Sequence, residues 1–141
     1  MASQKELDEA YLSMAFVWSK LSKARRKKVG CLIVKDNTII SDGFNGTPSG
    51  FDNSCEVWDN GDWVTKPETI HAESNAISKL AKSTQSSDGA TLYATCSPCL
   101  DCSKLIIQAG IVRVVYSEQY RIDEGLKLLK KADIELKYLC E

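Results

Sequence analysis

The sequence predicts an α/β domain, a three-layer α/β/α sandwich in which helices cover both faces of a mixed five-stranded sheet. Two observations favour this architecture. From about residue 71 onward, segments with the hydrophobic periods of helix and strand alternate, as expected when helices pack on a sheet. Upstream, residues 29–43 have the pattern of a β-hairpin. We interpret residues 1–141 as a single domain, because a chain of this length can bury one core of its own.

The N-terminal half is predicted to supply one helix and the hairpin. An amphipathic helix is expected over residues 6–23, with a core-facing stripe at helical spacing: Leu7, Tyr11, Met14, Trp18 and Leu21. Four segments are predicted after it, namely a strand at 29–34, a turn at Asp36-Asn37, a second strand from 38 to 40 and a glycine-rich loop over 43–50. Residues 51–67 show little periodicity, and we expect an irregular surface excursion there.

The C-terminal half carries the alternation of helices and strands. Residues 111–116 form a β-branched run that is typical of a strand buried on both faces, and Gly110 ends the helix before it. In chain order we predict a helix at 71–82, a strand at 90–95, a helix at 99–109, a strand at 111–116, a helix at 122–131 and a partly exposed strand at 134–139.

Two short segments predict a catalytic metal site. His71 is the only histidine of the chain and stands two residues before Glu73, while Cys99 and Cys102 follow Pro98. One imidazole and two thiolates suit Zn²⁺ and leave one tetrahedral position open for water, which distinguishes a catalytic zinc from a structural one. His-x-Glu followed by Pro-Cys-x-x-Cys is the signature of zinc-dependent nucleobase deaminases, whose glutamate transfers protons without binding the metal.

The predicted role of Glu73 depends on local geometry. Residues two apart lie about 200° apart around a helix, so His71 and Glu73 converge only in the first turn. There Glu73 would take a proton from water at the metal and deliver protons to the ring nitrogen and the leaving amine. Cys96 leaves an alternative open, because a site of three cysteines and His71 would be closed and structural.

Composition limits the classes of protein that need to be considered. No apolar run approaches the length of a membrane span and residues 1–10 are polar, so we expect neither membrane association nor a signal peptide. Six cysteines without a secretory signal favour metal binding over disulfides, and we predict a cytoplasmic location. A net charge of −1 disfavours a protein whose main partner is nucleic acid.

Two further segments have more than one interpretation. Asn45 offers a donor and an acceptor within the glycine-rich loop, which is either a turn or a ligand-binding loop. A basic cluster precedes the first strand and is either a solvated surface, a polyphosphate site or, against the acidic balance elsewhere, a nucleic-acid contact. The cluster comprises Lys20, Lys23, Arg25, Arg26, Lys27 and Lys28.

The sequence resembles the deoxycytidylate (dCMP) deaminases over nearly its whole length. Besides the metal motif, the resemblance is carried by residues 43–48, Gly-Phe-Asn-Gly-Thr-Pro, and 104–111, Lys-Leu-Ile-Ile-Gln-Ala-Gly-Ile. The metal motif alone specifies the wider cytidine-deaminase-like superfamily, and the first of these segments narrows it to the dCMP branch. The resemblance implies a cytidine-deaminase-like fold, a homohexamer, and zinc-dependent hydrolysis of dCMP to dUMP for thymidylate synthesis. It also implies activation by dCTP and inhibition by dTTP, with Mg²⁺ on the triphosphate.

The resemblance implies roles for residues outside the metal motif. Asn45 would hold the substrate sugar, Ala72 and Ser97 would line the base pocket, and Tyr120 and Arg121 would lie at the 5′-phosphate. Arg121 has a second interpretation as a surface charge of a loop. The implied effector site comprises Arg26, Lys28, Gly43, Phe44, Asn45 and Gly46.

Departures from the family pattern qualify these expectations. The segment between the asparagine loop and His71 is short, and a single histidine leaves no second histidine-bound zinc. Phe44 stands in place of the more usual tyrosine. Cys96 stands where a non-ligand is expected, so we predict that it lies near the zinc unbound. The rival functions are a deaminase of another cytosine or adenine nucleoside or base, and a structural zinc-binding module.

Overall fold

Four α-helices and seven strands form the regular structure of residues 1–140, the part of the chain that the computed structural model describes. The helices are α1 Gln4–Ser19, α2 Ala72–Lys79, which a 3₁₀ turn at Leu80–Lys82 extends, α3 Leu100–Gln108 and α4 Glu124–Lys131. The strands are β1 Gly30–Lys35, β2 Thr38–Phe44, β3 Glu56–Asp59, β4 Asp62–Thr65, β5 Thr91–Cys96, β6 Arg113–Glu118 and β7 Glu135–Tyr138.

The main sheet has five strands in the order β2-β1-β5-β6-β7. β1 pairs antiparallel with both β2 and β5, whereas β5, β6 and β7 run parallel. α3 and α4 supply the crossovers that parallel strands require. The predicted mixed five-stranded sheet is therefore confirmed, and each predicted C-terminal element lies within two residues of its observed bounds.

Alternate residues of the central strands divide the core into two layers. Ile33 and Val114 face one side, where they cluster with Ala76 of α2 and with residues of α3 and α4. Leu32 and Val115 face the other side, where α1 packs. Helices thus cover both faces, as the three-layer prediction requires. None of the helices within residues 1–140 combines the length and apolar character that crossing a bilayer requires.

The buried side of α1 differs from the predicted stripe. Met14 and Leu21 are nearly half exposed, at 45% and 46%, and α1 ends at Ser19 rather than at residue 23. The residues that α1 buries are Asp8, Leu12, Ala15 and Ser19. The reason is close packing on β1: a Cβ added at Gly30 would lie 2.0 Å from the carbonyl oxygen of Ala15, so only small residues fit this contact.

The irregular excursion predicted for residues 51–67 is wrong, because this segment contains the hairpin β3–β4. Asn60 and Gly61 have φ values of 48° and 82°, the left-handed conformations that a type I′ hairpin turn requires and that Asn-Gly favours. Val57 pairs with Val64 and Trp58 with Trp63. Their side chains are mostly exposed, so the strands lack the alternation of a half-buried sheet.

Two glycines allow the close contacts that place the ends of α2 and α3. A Cβ at Gly43, the second-last residue of β2, would lie 2.4 Å from the carbonyl oxygen of Ala72. A Cβ at Gly125 in α4 would lie 2.2 Å from the carbonyl oxygen of Pro98. The first turn of α2 is therefore packed directly on β2, and the chain entering α3 is packed directly on α4.

A buried ionic cluster fastens α1 to the sheet. Arg113 of β6 donates from both Nη atoms to the Asp8 carboxylate, at 2.8 and 2.6 Å, and the Tyr93 hydroxyl donates to the same carboxylate at 2.6 Å. Burial raises the pKa of Asp8, but the hydrogen bonds from Arg113, Tyr93 and Gln4 outweigh it and hold that pKa below its ordinary value. The ionised carboxylate therefore stabilises the folded state.

Substitution of Asp8 by Asn should lower the free energy of unfolding by about 3 kcal/mol at neutral pH, since it leaves the Arg113 guanidinium without its charged partner. Because folding lowers the pKa of Asp8, this contribution is complete above the ordinary aspartate pKa and is lost as the pH falls through the folded value. Urea unfolding of both proteins between pH 2.5 and 7 measures it. Glu9→Gln, on the exposed side of the same helix, is the control. A loss of the same size at pH 2.5 and pH 7 would contradict this account.

Candidate metal centre and substrate pocket

The N-terminus of α2 places His71 and Glu73 side by side. His71 is the N-cap, with extended φ and ψ of −72° and 156°, and Glu73 lies in the first turn. The helix therefore begins between them, which is the geometry that their convergence requires. Glu73 is only 4% exposed, whereas His71 is reachable from solvent.

The N-terminus of α3 places the two cysteines in the same way. Cys99 is the N-cap, and its Sγ accepts a hydrogen bond from the backbone N–H of Cys102 at 3.5 Å. Both sulfurs thus lie at the positive end of the helix, where backbone N–H groups and the helix dipole favour thiolate. Pro98 directly precedes this cap.

His71, Cys99 and Cys102 form a three-atom ligand cluster. Nδ1 of His71 lies 3.4 Å from Cys99 Sγ and 3.3 Å from Cys102 Sγ, and all three ligand atoms lie within 4.8 Å of one another. Within residues 1–140, the group of side chains with this convergence contains neither Cys96 nor Glu73. One imidazole and two sulfurs fit Zn²⁺ with one coordination position to spare.

The protonation of the ligand cluster reflects the same proximity. Hydrogen bonding with Cys102 lowers the pKa of Cys99 to about 4, and that interaction raises the pKa of Cys102. The hydrogen bond to Cys99 raises the pKa of His71 despite its partial burial. The three groups affect one another because their ligand atoms lie within 4.8 Å of one another, and a cation bound there would compete with protons for the same atoms.

Glu73 lies beside this cluster in a desolvated position. Burial raises its pKa, while its own backbone N–H and the nearby His71 lower it to a smaller extent. A raised pKa makes this carboxyl a better proton acceptor than an exposed glutamate, which suits a group that transfers protons in general acid–base catalysis.

The cluster opens into a pocket of about 430 Å³. His71, Glu73 and Cys99 line part of it, and Cys96 lines it as well. All five residues predicted for substrate binding lie in its wall, namely Asn45, Ala72, Ser97, Tyr120 and Arg121. Ala72 and Ser97 are buried, whereas Tyr120 and Arg121 are exposed, so the first two lie deep in the pocket and the last two at its rim.

Two of the predicted substrate residues also hold the pocket together. The Asn45 side chain accepts a hydrogen bond from the Val29 N–H and donates one to the Lys27 carbonyl, both at 2.8 Å. The Ser97 hydroxyl accepts one from the Tyr120 N–H at 2.7 Å. Their direct contact with substrate stays a prediction.

The six residues predicted for an effector site differ in their relation to the substrate pocket, and their role stays a prediction. Arg26 and Asn45 line the substrate pocket itself, whereas the other four, Lys28, Gly43, Phe44 and Gly46, are not among its lining residues. Gly43 is explained by its packing on α2. Arg26 therefore stands where it can contact a substrate in the pocket.

The structure adds pocket residues that the sequence reasoning missed. They come from the β3–β4 hairpin and its flanking chain: Cys55, Glu56, Thr65 and Thr69. Lys27 of the basic cluster, one of whose interpretations was a polyphosphate site, lines the pocket as well. The only available signal was the Asn60-Gly61 pair between two matching Trp-containing segments, which indicates a hairpin but not what it covers.

The chain matches the family described as the cytidine and deoxycytidylate deaminase zinc-binding region over residues 5–118. It belongs to this family. The resemblance seen in the sequence is thereby confirmed, and the zinc-binding character of the family together with the His71, Cys99 and Cys102 cluster supports Zn²⁺ as the metal.

Relatives and solved structures agree with this assignment. The chain is 36% identical to deoxycytidylate deaminase of Saccharomyces cerevisiae over 137 residues, which covers 92% of this chain but only 44% of that protein. It is 35% identical to deoxycytidylate deaminase of Enterobacteria phage T4, with 77% and 76% coverage. The crystal structure of dCMP deaminase from cyanophage S-TIM5 in complex with dCMP and dUMP matches with a TM-score of 0.91 at 44% identity, covering 98% of this chain and all of that one.

The metal cluster predicts different outcomes for neighbouring cysteines. Cys99→Ser should weaken zinc binding by at least about 100-fold, because it removes a ligand rather than an outer-shell partner. Cys96→Ser should retain one zinc per chain, since Cys96 lies outside the cluster. Metal analysis after dialysis against graded chelator distinguishes the two. Loss of zinc from Cys96→Ser to the same extent would instead indicate a closed, structural site.

Proposed function

We propose that this protein hydrolyses dCMP to dUMP and ammonia in a zinc-dependent reaction, supplying dUMP for thymidylate synthesis. The observation that carries the proposal is the buried carboxyl of Glu73 beside the His71, Cys99 and Cys102 cluster, in a pocket whose exposed rim is cationic. The 44% identity to a dCMP deaminase crystallised with dCMP and dUMP supports the choice of substrate.

The metal would be held by Nδ1 of His71 and the two sulfurs, as the donor set favours. When bound there, Zn²⁺ supplies the Lewis acidity that lowers the pKa of water towards about 7. His71 and Cys99 are fixed as helix N-caps, so both ligands are oriented by backbone already ordered in the fold.

Glu73 performs the proton transfers. It accepts a proton from the attacking water, whose oxygen forms a bond to C4 of the cytosine ring, and delivers that proton to ring nitrogen N3. It then transfers a second proton from the former water to the exocyclic amine. The C4–N bond breaks, ammonia leaves and the carbonyl of dUMP forms. Its desolvated position keeps Glu73 able to hold a proton between these steps.

The rim favours a nucleoside monophosphate over a free nucleoside or base. Arg26, Lys27 and Arg121 all line the pocket and are exposed. Guanidinium groups match the oxygens of a phosphate, and cations at one end of a pocket attract a dianion. A base or nucleoside would offer no phosphate to Arg26 and Arg121, whereas Lys27 is already paired with Glu118.

The substrate assignment predicts a clear order of reactivity. Purified zinc-loaded protein should release ammonia from dCMP with a kcat/KM at least about 100-fold above that for deoxycytidine, because the phosphate adds charged hydrogen bonds. An ammonia-release assay on dCMP, dCTP, deoxycytidine and cytidine measures this. Release from a nucleoside but not from dCMP would reject the monophosphate and leave a deaminase of another substrate.

The role of Glu73 is tested by Glu73→Gln, which keeps the shape of the side chain but cannot carry the proton. Turnover of dCMP should fall by about 10²–10⁴-fold while zinc content and thermal stability stay near those of the unchanged protein. Asp101→Asn, an exposed substitution in the first turn of α3, serves as the control. Full activity of Glu73→Gln would remove Glu73 from the mechanism, and an inactive unchanged protein would favour a structural zinc module.

We further propose, from the resemblance, activation by dCTP and inhibition by dTTP with Mg²⁺ on the triphosphate, a homohexamer, action of residues 1–141 as one domain, and a cytoplasmic location. The supporting observation is similarity to several curated deoxycytidylate deaminases. The chain spans under half the length of the yeast relative, so these whole-protein properties rest on the family alone.

A further inference from the structure

The β3–β4 hairpin is attached to the basic cluster through a buried carboxylate. Glu56, at the start of β3, is 3% exposed. Its two carboxylate oxygens accept hydrogen bonds from the backbone N–H of Arg25, at 3.0 and 2.9 Å, and Oε2 accepts another from the backbone N–H of Arg26 at 3.0 Å. Glu56 therefore binds the backbone of the cluster and not its arginine side chains.

The same hairpin fixes the two arginine side chains. The Arg26 guanidinium donates to the Thr65 hydroxyl at 3.4 Å, and Thr65 is the cross-strand partner of Glu56. The Arg25 guanidinium lies over the Trp63 ring, 4.1 Å from its centroid, in a cation–π contact. Arg25 is thus turned onto the hairpin, while Arg26, Glu56 and Thr65 all line the pocket.

We propose that Glu56 is a positioning residue for phosphate recognition: its carboxylate holds the backbone of residues 25 and 26 so that Arg26 faces a monophosphate in the pocket. This inference rests on the proposed function, because it assigns the phosphate end of the same substrate. It also assigns a role to residues 56–65, because this hairpin contacts residues 25 and 26 of the basic cluster and holds them at the pocket.

The negative charge of Glu56 allows the proposal to be distinguished from a simple electrostatic effect on substrate binding. A carboxylate near a phosphate repels it, so the simplest alternative is that Glu56 weakens substrate binding and only its charge matters. Glu56→Gln separates the two effects because it removes the charge and replaces one acceptor oxygen by a donor NH₂ group. That NH₂ group would face a backbone N–H, so the segment would lose its anchor.

The decisive experiment compares KM and kcat of Glu56→Gln on dCMP and on deoxycytidine. The positioning role predicts that KM for dCMP rises by about 10-fold or more, with kcat at saturation and kcat/KM for deoxycytidine nearly unchanged. If only the charge mattered, KM for dCMP would fall. An unchanged or lower KM overturns the proposal.

Matched variants separate positioning from general damage to the hairpin. Ser54→Ala removes a hairpin hydrogen bond to the Glu56 carbonyl without touching the basic cluster, and it should keep the KM of the unchanged protein. Thr65→Val removes only the Arg26 contact and should raise KM for dCMP by roughly two- to five-fold. Should Glu56→Gln fail to fold, Thr65→Val decides: an unaltered KM overturns the proposal.

The unchanged protein shows separately whether the proposed function holds. A preference for dCMP over deoxycytidine in that protein supports the monophosphate assignment whatever the variants do. Absence of that preference removes the phosphate site and the role of Glu56 together. If the unchanged protein prefers dCMP and Glu56→Gln has the same KM for dCMP, only the role of Glu56 is rejected.

Discussion

The site depends on two helices whose first residues meet at one point. α2 and α3 begin at adjacent places above the sheet, and their N-caps, His71 and Cys99, bring an imidazole and a sulfur within 3.4 Å. This convergence is possible because β2 and α4 carry glycines where the two helix starts approach them. A side chain larger than hydrogen at Gly43 or Gly125 would push a helix start away. Metal geometry is therefore set by backbone packing more than by the ligands themselves.

The same arrangement explains how one short segment holds a ligand and a proton carrier. With His71 outside the helix and Glu73 in its first turn, the extended backbone of the cap turns the imidazole towards the sulfurs while the carboxyl enters the buried end of the pocket. Desolvation of Glu73 follows from its place under the helix start, where the first turn is packed against β2. The metal ligand His71 therefore remains accessible to solvent, whereas the acid–base group Glu73 is buried.

What the sequence could predict depended on how local the signal was. The metal motif and the C-terminal alternation are encoded within short windows, and their elements were placed within two residues. The second strand of the first hairpin was predicted at 38–40 but extends to Phe44, because Gly43 continues the strand where it packs on α2. The buried side of α1 was predicted wrongly because Ala15 and Ser19 are buried on account of their small size. Hydrophobic periodicity detects large apolar residues and not small ones at a close contact. The β3–β4 hairpin escaped because both of its faces are largely exposed. The role of Glu56 could not be predicted from the sequence because its hydrogen-bond partner Arg25 lies 31 residues away in the chain.

The basic cluster shows why such distant contacts are needed. Residues 22–29 form neither helix nor strand, and their cations repel one another. Local hydrogen bonds hold only the start of the segment, where the Ala24 N–H donates to the Ser22 hydroxyl. Their backbone groups are instead bound by side chains from elsewhere: Glu56 accepts from residues 25 and 26, and the Asn45 amide bridges Lys27 and Val29. Lys27 is further paired with Glu118 at the end of β6. Because backbone polar groups that are withdrawn from water need hydrogen-bond partners, these side chains supply what a helix or sheet would otherwise provide. A mobile cationic loop would attract phosphate, but part of the binding free energy would be spent on ordering the loop. A segment that is already ordered before the ligand binds avoids this loss of affinity.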